Sequence, residues 1–209
     1  MNERIVKIGI IGLGARAETL LASIFQLPGV EVAAVCDLDQ ERIAKIEAIF
    51  DRNGVPRPKS FTDFRALLDA PEVEAVFVPT SWNSHLAIAR EALKRGKYVG
   101  IEVGGASSVE ELWQLVHASE ETGTPCMMLE NCCYGRNELM VLNMVRQGVF
   151  GELVYCECGY EHDLSCMAWE TDKRRERALH NRCRNGDLYP THGVGPIAKI
   201  LISTAATAF

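Results

Sequence analysis

Ile8-Gly9-Ile10-Ile11-Gly12-Leu13-Gly14-Ala15-Arg16-Ala17 is an apolar run that breaks into glycines, and a helical pattern (Leu20, Leu21, Ile24, Phe25) follows at once. Strand, tight turn and helix in that order are the context that the G-x-G-x-x-A fingerprint of dinucleotide binding requires. Gly12 permits the turn, and Gly14 lets the backbone approach a pyrophosphate with no Cβ in the way. Ala17 is small enough for the helix to pack on the sheet. The N–H groups at the helix start, around Ala15 and Arg16, then bind the phosphates with help from the helix dipole.

A second apolar run, Val30 to Cys36, ends in Asp37, close to the spacing of about 20 residues expected for a ribose-binding acid. That carboxylate accepts hydrogen bonds from the ribose hydroxyls and repels a 2′-phosphate, so NAD is expected rather than NADP. The plain alternative is a Gly-rich βα turn followed by a capping Asp.

Outward from this unit the same grammar repeats. Gln40 to Phe50 places Ile43, Ile46 and Phe50 at helical spacing. Ala75 to Pro79 reads as a strand running into Thr80-Ser81-Trp82-Asn83-Ser84-His85, then a helix that Gly96 stops. Tyr98 to Val103 is a further strand. Val109, Leu112, Trp113 and Val116 form one face of the next helix, and Cys126 to Leu129 leads into Glu130. Strands alternating with helices through short loops mean an α/β fold, a Rossmann-type doubly wound parallel sheet covered on both faces. Right-handed crossovers bring Gly12–Ala17, Asp37, Thr80–His85 and Glu102–Ala106 to one sheet edge.

After Gly151 the pattern changes. Leu153 to His162 alternates, with Cys156, Cys158, Tyr160 and His162 on one face, and reads as the first strand of a second domain. A polar stretch follows, then Tyr189-Pro190-Thr191-His192-Gly193 and an apolar helix from Val194 to Leu201. The expected division is a nucleotide-binding domain over 1–130 and a partial substrate domain, the start of an α+β open sheet, over 131–209.

The 209 residues are 47% hydrophobic and 24% charged, ordinary for a globular protein. A net charge of −6 argues against a nucleic-acid partner. No apolar run is long enough to span a bilayer, and the first strand begins almost at the N-terminus, so a cytoplasmic location is expected. The eight cysteines include no C-x-x-C pair, so a metal site is not expected and buried reduced thiols are the better reading. His117 and His180 read as surface residues. The basic run Lys173-Arg174-Arg175, with Arg177, Arg182 and Arg184, reads as a solvated loop.

The chain resembles the Gfo/Idh/MocA oxidoreductases, and within them glycoside hydrolase family 109, the NAD-dependent α-N-acetylgalactosaminidases. The resemblance is carried by Leu129-Glu130-Asn131-Cys132, Gln147-Gly148-Val149-Phe150-Gly151-Glu152, Gly159-Tyr160-Glu161-His162 and Gly186-Asp187-Leu188-Tyr189-Pro190-Thr191-His192-Gly193-Val194-Gly195-Pro196. Two departures from the wider superfamily are visible. Its Glu-Lys-Pro motif is Glu102-Val103-Gly104 here, and its Asp four residues before the site histidine is Leu188. Both weigh against an ordinary polyol dehydrogenase. Family members are much longer, and the tail Ala205-Ala206-Thr207-Ala208-Phe209 does not look like their continuation.

The resemblance implies hydrolysis through oxidation. A hydride leaves C3 of the sugar to a tightly bound, recycled NAD, the acidified C2 proton is removed, and the C1 substituent is expelled. Water then adds and the hydride returns, unlike a glycosidase with two flanking carboxyls. His192 opens a helix, where the dipole favours the neutral, proton-accepting ring. It is assigned the C3 hydroxyl proton, and Tyr160 the C2 proton; His162, Tyr189 and Glu130 position the sugar, and Glu130 could instead bind the nicotinamide ribose. Glu102 is expected on the nicotinamide ribose, and Asn83 and His85 beside the nicotinamide, although they could equally cap the helix they begin. The partner is a small sugar, with no nucleic acid or membrane, and a homo-oligomer is left open. A sugar or polyol dehydrogenase, or an inactive nucleotide-binding fragment, remain the alternatives.

Overall fold

The computed structural model describes residues 4–163, 165, 176–183 and 189–205. The basic run Lys173-Arg174-Arg175, Arg184 and Gly186-Asp187-Leu188 lie outside the described residues. The chain divides after Leu129 into two compact units.

In the first unit, strands β1 (Val6–Ile11), β2 (Val30–Cys36), β3 (Lys59–Phe61), β4 (Ala75–Val78), β5 (Tyr98–Ile101) and β6 (Cys126–Met128) alternate with helices. The helices are α1 (Ala15–Ile24), α2 (Gln40–Arg52), α3 (Phe64–Leu68), α4 (Trp82–Lys94) and α5 (Val109–Thr122). The strands form one parallel sheet in the order β3-β2-β1-β4-β5-β6. β1 pairs β2 on one side (Ile11 with Cys36) and β4 on the other (Ile10 with Phe77), so the winding reverses at β1/β4, where an open α/β sheet leaves its ligand crevice.

Both sheet faces are buried, which explains the near-continuous apolar runs of the central strands. On one face Ile10, Val35 and Phe77 pack with Ala17 and Leu21 of α1 and Ile43, Ile46 and Phe50 of α2. On the other, Ile11, Val76, Val78 and Ile101 pack with Leu67 and Leu68 of α3, Ile88, Ala89, Ala92 and Leu93 of α4, and Leu115 and Ala118 of α5. Helix starts are capped locally. Asp39 accepts from Glu41 N and Asp63 from Arg65 N, both at 2.9 Å. Ser108 accepts from Glu111 N while the Glu111 carboxylate accepts from Ser107 N, satisfying amides that the helix leaves open. Val109, Leu112, Trp113 and Val116 do share a stripe of α5, but the stripe is exposed. The helix docks through Leu115 and Ala118, one turn position round.

The second unit contains a 3₁₀ turn (Asn131–Tyr134), α6 (Arg136–Arg146), α7 (Glu176–Cys183) and α8 (Thr191–Ala205), with α8 packed on the turn and on α6. Lys199 Nζ sits 4.1 Å above the Tyr134 ring. The strand expected over Leu153–His162 is absent: residues 153–163 are irregular and, beyond half-buried Leu153, exposed. Alternation supplies two faces, but a strand also needs a neighbour for its amide and carbonyl groups, and among the described residues this unit offers none. His180 is buried, contrary to its reading as a surface residue. The buried-thiol reading holds for Cys36 alone among the described cysteines; Cys156, Cys158 and Cys183 are exposed, and no described cysteine is in a disulfide. No described helix is long and apolar enough to cross a membrane.

Candidate active site

The first unit's loops are tied together at the C-terminal ends of its strands. Gly12 has φ +100°, and a Cβ there would lie 2.6 Å from Thr80 Cγ2 and 3.0 Å from the Thr80 backbone. Only glycine lets the two loops of the β1/β4 switch point come this close. Gly12 N donates to Cys36 O at 2.8 Å. The next amide, Leu13 N, donates to Asp37 Oδ2 at 2.7 Å, and Asp39 N donates to Asp37 Oδ1 at 2.9 Å. Asp37 therefore braces the glycine turn as well as standing at the end of β2. Its nearby cation, Arg42 Nη1 at 3.6 Å, was not singled out in the sequence. The signal was an arginine in the first turn of α2, where the helix dipole disfavours it. At Cys36, burial, then Asp37 and Asp63, push the thiol up to about 12, so it is an inert core group.

Gly14 is the N-cap of α1 and supplies no side-chain cap. A Cβ at Gly14 would meet only Arg42 Nη1, at 3.9 Å, which leaves room over the start of α1, where Ala15 and Arg16 are exposed. Arg16 Nε donates to Glu102 Oε1 at 2.7 Å, and Val103 N donates to Glu102 Oε2. An open helix start, a Cβ-less turn and an ionic link to the loop after β5 suit a dinucleotide phosphate.

His85 does not lie at the surface of this edge. It is fully buried, with Nε2 3.0 Å from Thr80 O and Nδ1 3.2 Å from Gly104 O. Its expected place beside the nicotinamide is corrected: the ring is sealed between two loops, donating to one of the two carbonyls, and exposes no atom to a ligand. Burial first of all holds its pKa below the usual 6.5, against the pull of the two carbonyls. Asn83 is exposed on a groove shared with Trp82, Leu86, Ala87, Arg90, Ser107 and Glu111.

In the second unit the four expected catalytic residues come together. The Tyr160 ring centre lies 4.4 Å from His162, 5.4 Å from Tyr189 in a stack and 4.6 Å from His192 edge-on. Tyr189 and His192 are 4.5 Å apart. Behind them His192 Nδ1 donates to Glu130 Oε1 at 2.6 Å, and Cys132 N donates to the same oxygen at 2.9 Å. Burial works to raise the Glu130 pKa, but the Cys132 amide, the Thr191 hydroxyl and His192 hold it below the ordinary carboxylate range. The assignment of Glu130 to a sugar or ribose hydroxyl is corrected, since its carboxylate is turned inward on His192.

Two glycines let this arrangement close. A Cβ at Gly195 would fall 2.9 Å from Cys133 Sγ and 3.0 Å from Glu130 Cγ; one at Gly193 would fall 2.9 Å from Cys158 Sγ. Glycine inside a helix costs about 1 kcal/mol each relative to alanine, and here that cost admits Glu130 and the 158–162 segment to the face of α8. Cys132 lies beside the pair, its amide being one of the donors to Glu130.

Residues 6–130 match the oxidoreductase family with an NAD-binding Rossmann fold, and residues 134–207 match the C-terminal domain of glycosyl hydrolase 109. A glycosyl hydrolase family 109 protein of Shewanella sp. (strain ANA-3) is 41% identical over 202 residues, 94% of this chain and 44% of that protein. One from Streptomyces filamentosus is 41% identical over 203 residues, 94% of this chain and 41% of its own length. The chain thus spans less than half the length of these relatives. Among solved structures, a 3-ketoreductase from Actinomadura kijaniata in complex with NADP and TDP-benzene aligns with TM-score 0.62 and 25% identity, covering 71% of this chain and 44% of that one. An apo scyllo-inositol dehydrogenase from Lactobacillus casei aligns with TM-score 0.65 at 20% identity, covering 73% and 44%; this second likeness shows the fold. With the glycine turn, the doubly wound sheet and the match over residues 6–130 in agreement, the chain belongs to the Gfo/Idh/MocA oxidoreductases, its second half being related to glycosyl hydrolase family 109.

Proposed function

We propose that this chain carries the machinery of a glycosidase that works by transient oxidation, acting on α-linked N-acetylgalactosamine or a related sugar, with NAD rather than NADP as the retained cofactor. When bound, the nicotinamide supplies a reversible hydride acceptor for sugar C3, so the cycle is redox-neutral and the cofactor need not leave. Gly12, Gly14, Ala15, Arg16, Asp37 and Thr80 hold the dinucleotide, Glu102 lies at the ribose, and Asn83 contributes from the start of α4.

The remaining steps belong to the side chains of the second unit. His192 has its proton on Nδ1, committed to Glu130, so Nε2 carries the lone pair that accepts the C3 hydroxyl proton. Once C3 is a ketone the C2 proton is acidic, and Tyr160 removes it as the C1–O bond breaks. Water adds its hydroxyl to the enone at C1 and gives its proton to the expelled oxygen; Tyr160 returns a proton to C2, and His192 returns one to the C3 oxygen as the ketone is reduced again. His162 and Tyr189, against the Tyr160 ring, orient the sugar. The observation that carries this reading is the convergence of Tyr160, His162, Tyr189 and His192 around one ring, with a buried carboxylate behind the histidine.

The test is hydrolysis of an aryl α-N-acetylgalactosaminide in deuterated water with no added NAD. Release of the aryl group with deuterium at C2 and no build-up of NADH is expected. Steady accumulation of NADH with oxidised free sugar supports the dehydrogenase reading, and hydrolysis without deuterium at C2 overturns the elimination.

A further inference from the structure

A carboxylate oxygen of Glu130, the Cys132 thiol and a ring nitrogen of His192 all lie within 4.8 Å of one another. They come from two separate segments, the 3₁₀ turn and the start of α8. A tetrahedral zinc holds its nitrogen, oxygen and sulfur ligands roughly 3.3–3.7 Å apart, so rotations of about 1 Å at the side-chain tips bring this trio to ligating distance. Glu130 is 5% exposed and accepts from His192 and the Cys132 amide on one oxygen, so its charge is held inside the site beside the other two groups.

We propose that Glu130, Cys132 and His192 form a three-ligand site for a thiophilic divalent cation such as Zn²⁺, with the fourth position open. The donor set decides the metal class. Sulfur, imidazole nitrogen and one carboxylate suit zinc or cobalt, whereas magnesium and calcium want oxygen alone. Three protein ligands and one open position is the pattern of a reactive zinc rather than a closed structural one. No ligand spacing of the C-x-x-C type announces it, because the third ligand arrives 60 residues later through the packing of α8 on the turn. Occupancy replaces the His192–Glu130 hydrogen bond, so a bound cation withdraws that imidazole from proton transfer. The ligand set stands or falls apart from the sugar chemistry proposed above.

The experiment is titration of the whole chain with Co²⁺ under reducing conditions, followed in the near-ultraviolet and visible. One equivalent is expected to give a thiolate-to-cobalt charge-transfer band and the intense d–d bands of a tetrahedral ion, both bleached by Zn²⁺. Cys132→Ser should abolish the charge-transfer band, Cys133→Ser should retain it, and Glu130→Gln should weaken Co²⁺ binding at least about tenfold. A spectrum without the band, or one lost in Cys133→Ser and kept in Cys132→Ser, overturns the site. In case the variants fold poorly, the unaltered chain is alkylated with iodoacetamide with and without Zn²⁺ and mapped by mass spectrometry. Protection of Cys132 but not of Cys183 supports the proposal, and equal labelling of Cys132 in both arms refutes it.

Discussion

His192 turns Nδ1 onto Glu130 Oε1 at 2.6 Å, with the histidine side chain 10% and the glutamate 5% exposed. The buried carboxylate selects one tautomer and one ring orientation before any substrate arrives. Glu130→Gln keeps the shape but offers an amide that can donate as well as accept. Turnover is expected to fall by roughly 10²- to 10⁴-fold, the scale seen when a histidine loses its orienting carboxylate, with KM changed only a few-fold. His192→Ala should abolish turnover while NAD still binds. Steady-state kinetics with calorimetric NAD titration checks both; full turnover in Glu130→Gln removes the orienting role.

The His85 ring predicts a pH dependence. Burial, its leading cause, lowers the pKa of the folded state below 6.5, so the unfolded chain takes up a proton first as pH falls. The stability this neutral ring contributes is therefore complete above about pH 6.5 and is lost progressively below it, towards the lower folded pKa. His85→Gln cannot titrate. Thermal melts at pH 7.5 and 5.5 should show a larger drop for the parent than for the variant, and equal drops would refute the claim.

At Gly12 a methyl group would meet Thr80 at 2.6 Å on a backbone of φ +100°. Gly12→Ala is expected to destabilise the first unit by about 2 kcal/mol or more through strain and collision together. NAD affinity should drop as well, since the turn must open to relieve the contact. Chemical denaturation and NAD titration measure the two effects.

Asp37 has two duties, and its removal should reveal both. Asp37→Ala leaves Leu13 N without its acceptor, at a cost of about 1–3 kcal/mol for a buried amide. It also removes the negative charge opposed to a 2′-phosphate while Arg42 stays close. The ratio of NADP to NAD affinity is expected to rise at least about tenfold. An unchanged ratio would mean that Asp37 serves the turn alone.

Much of the first unit could be read from local pattern. Gly12, Gly14 and Ala17 sit at the spacing of a strand–turn–helix, and each βα repeat carries its own apolar period, so the parallel sheet followed. The 153–162 segment shows the limit of that reasoning. Its alternation was real, but pairing depends on a neighbour that no local pattern can supply. Helix α5 shows another: the sequence placed Val109, Leu112, Trp113 and Val116 on one stripe, yet the sheet took the adjacent one bearing Leu115 and Ala118.

The identities of the site groups, and the family they resemble, were thus determined along the chain, because motif spacing and helix starts are properties of neighbouring residues. Only tertiary structure decided what each group faces. It closed both His85 nitrogens on the carbonyls of Thr80 and Gly104, bound Asp37 to the glycine turn, and set Glu130 behind His192 with Cys132 alongside. Hydrogen bonds and close contacts between residues far apart in the chain arise only when packing brings their segments together, so one-dimensional periodicity carries no record of them.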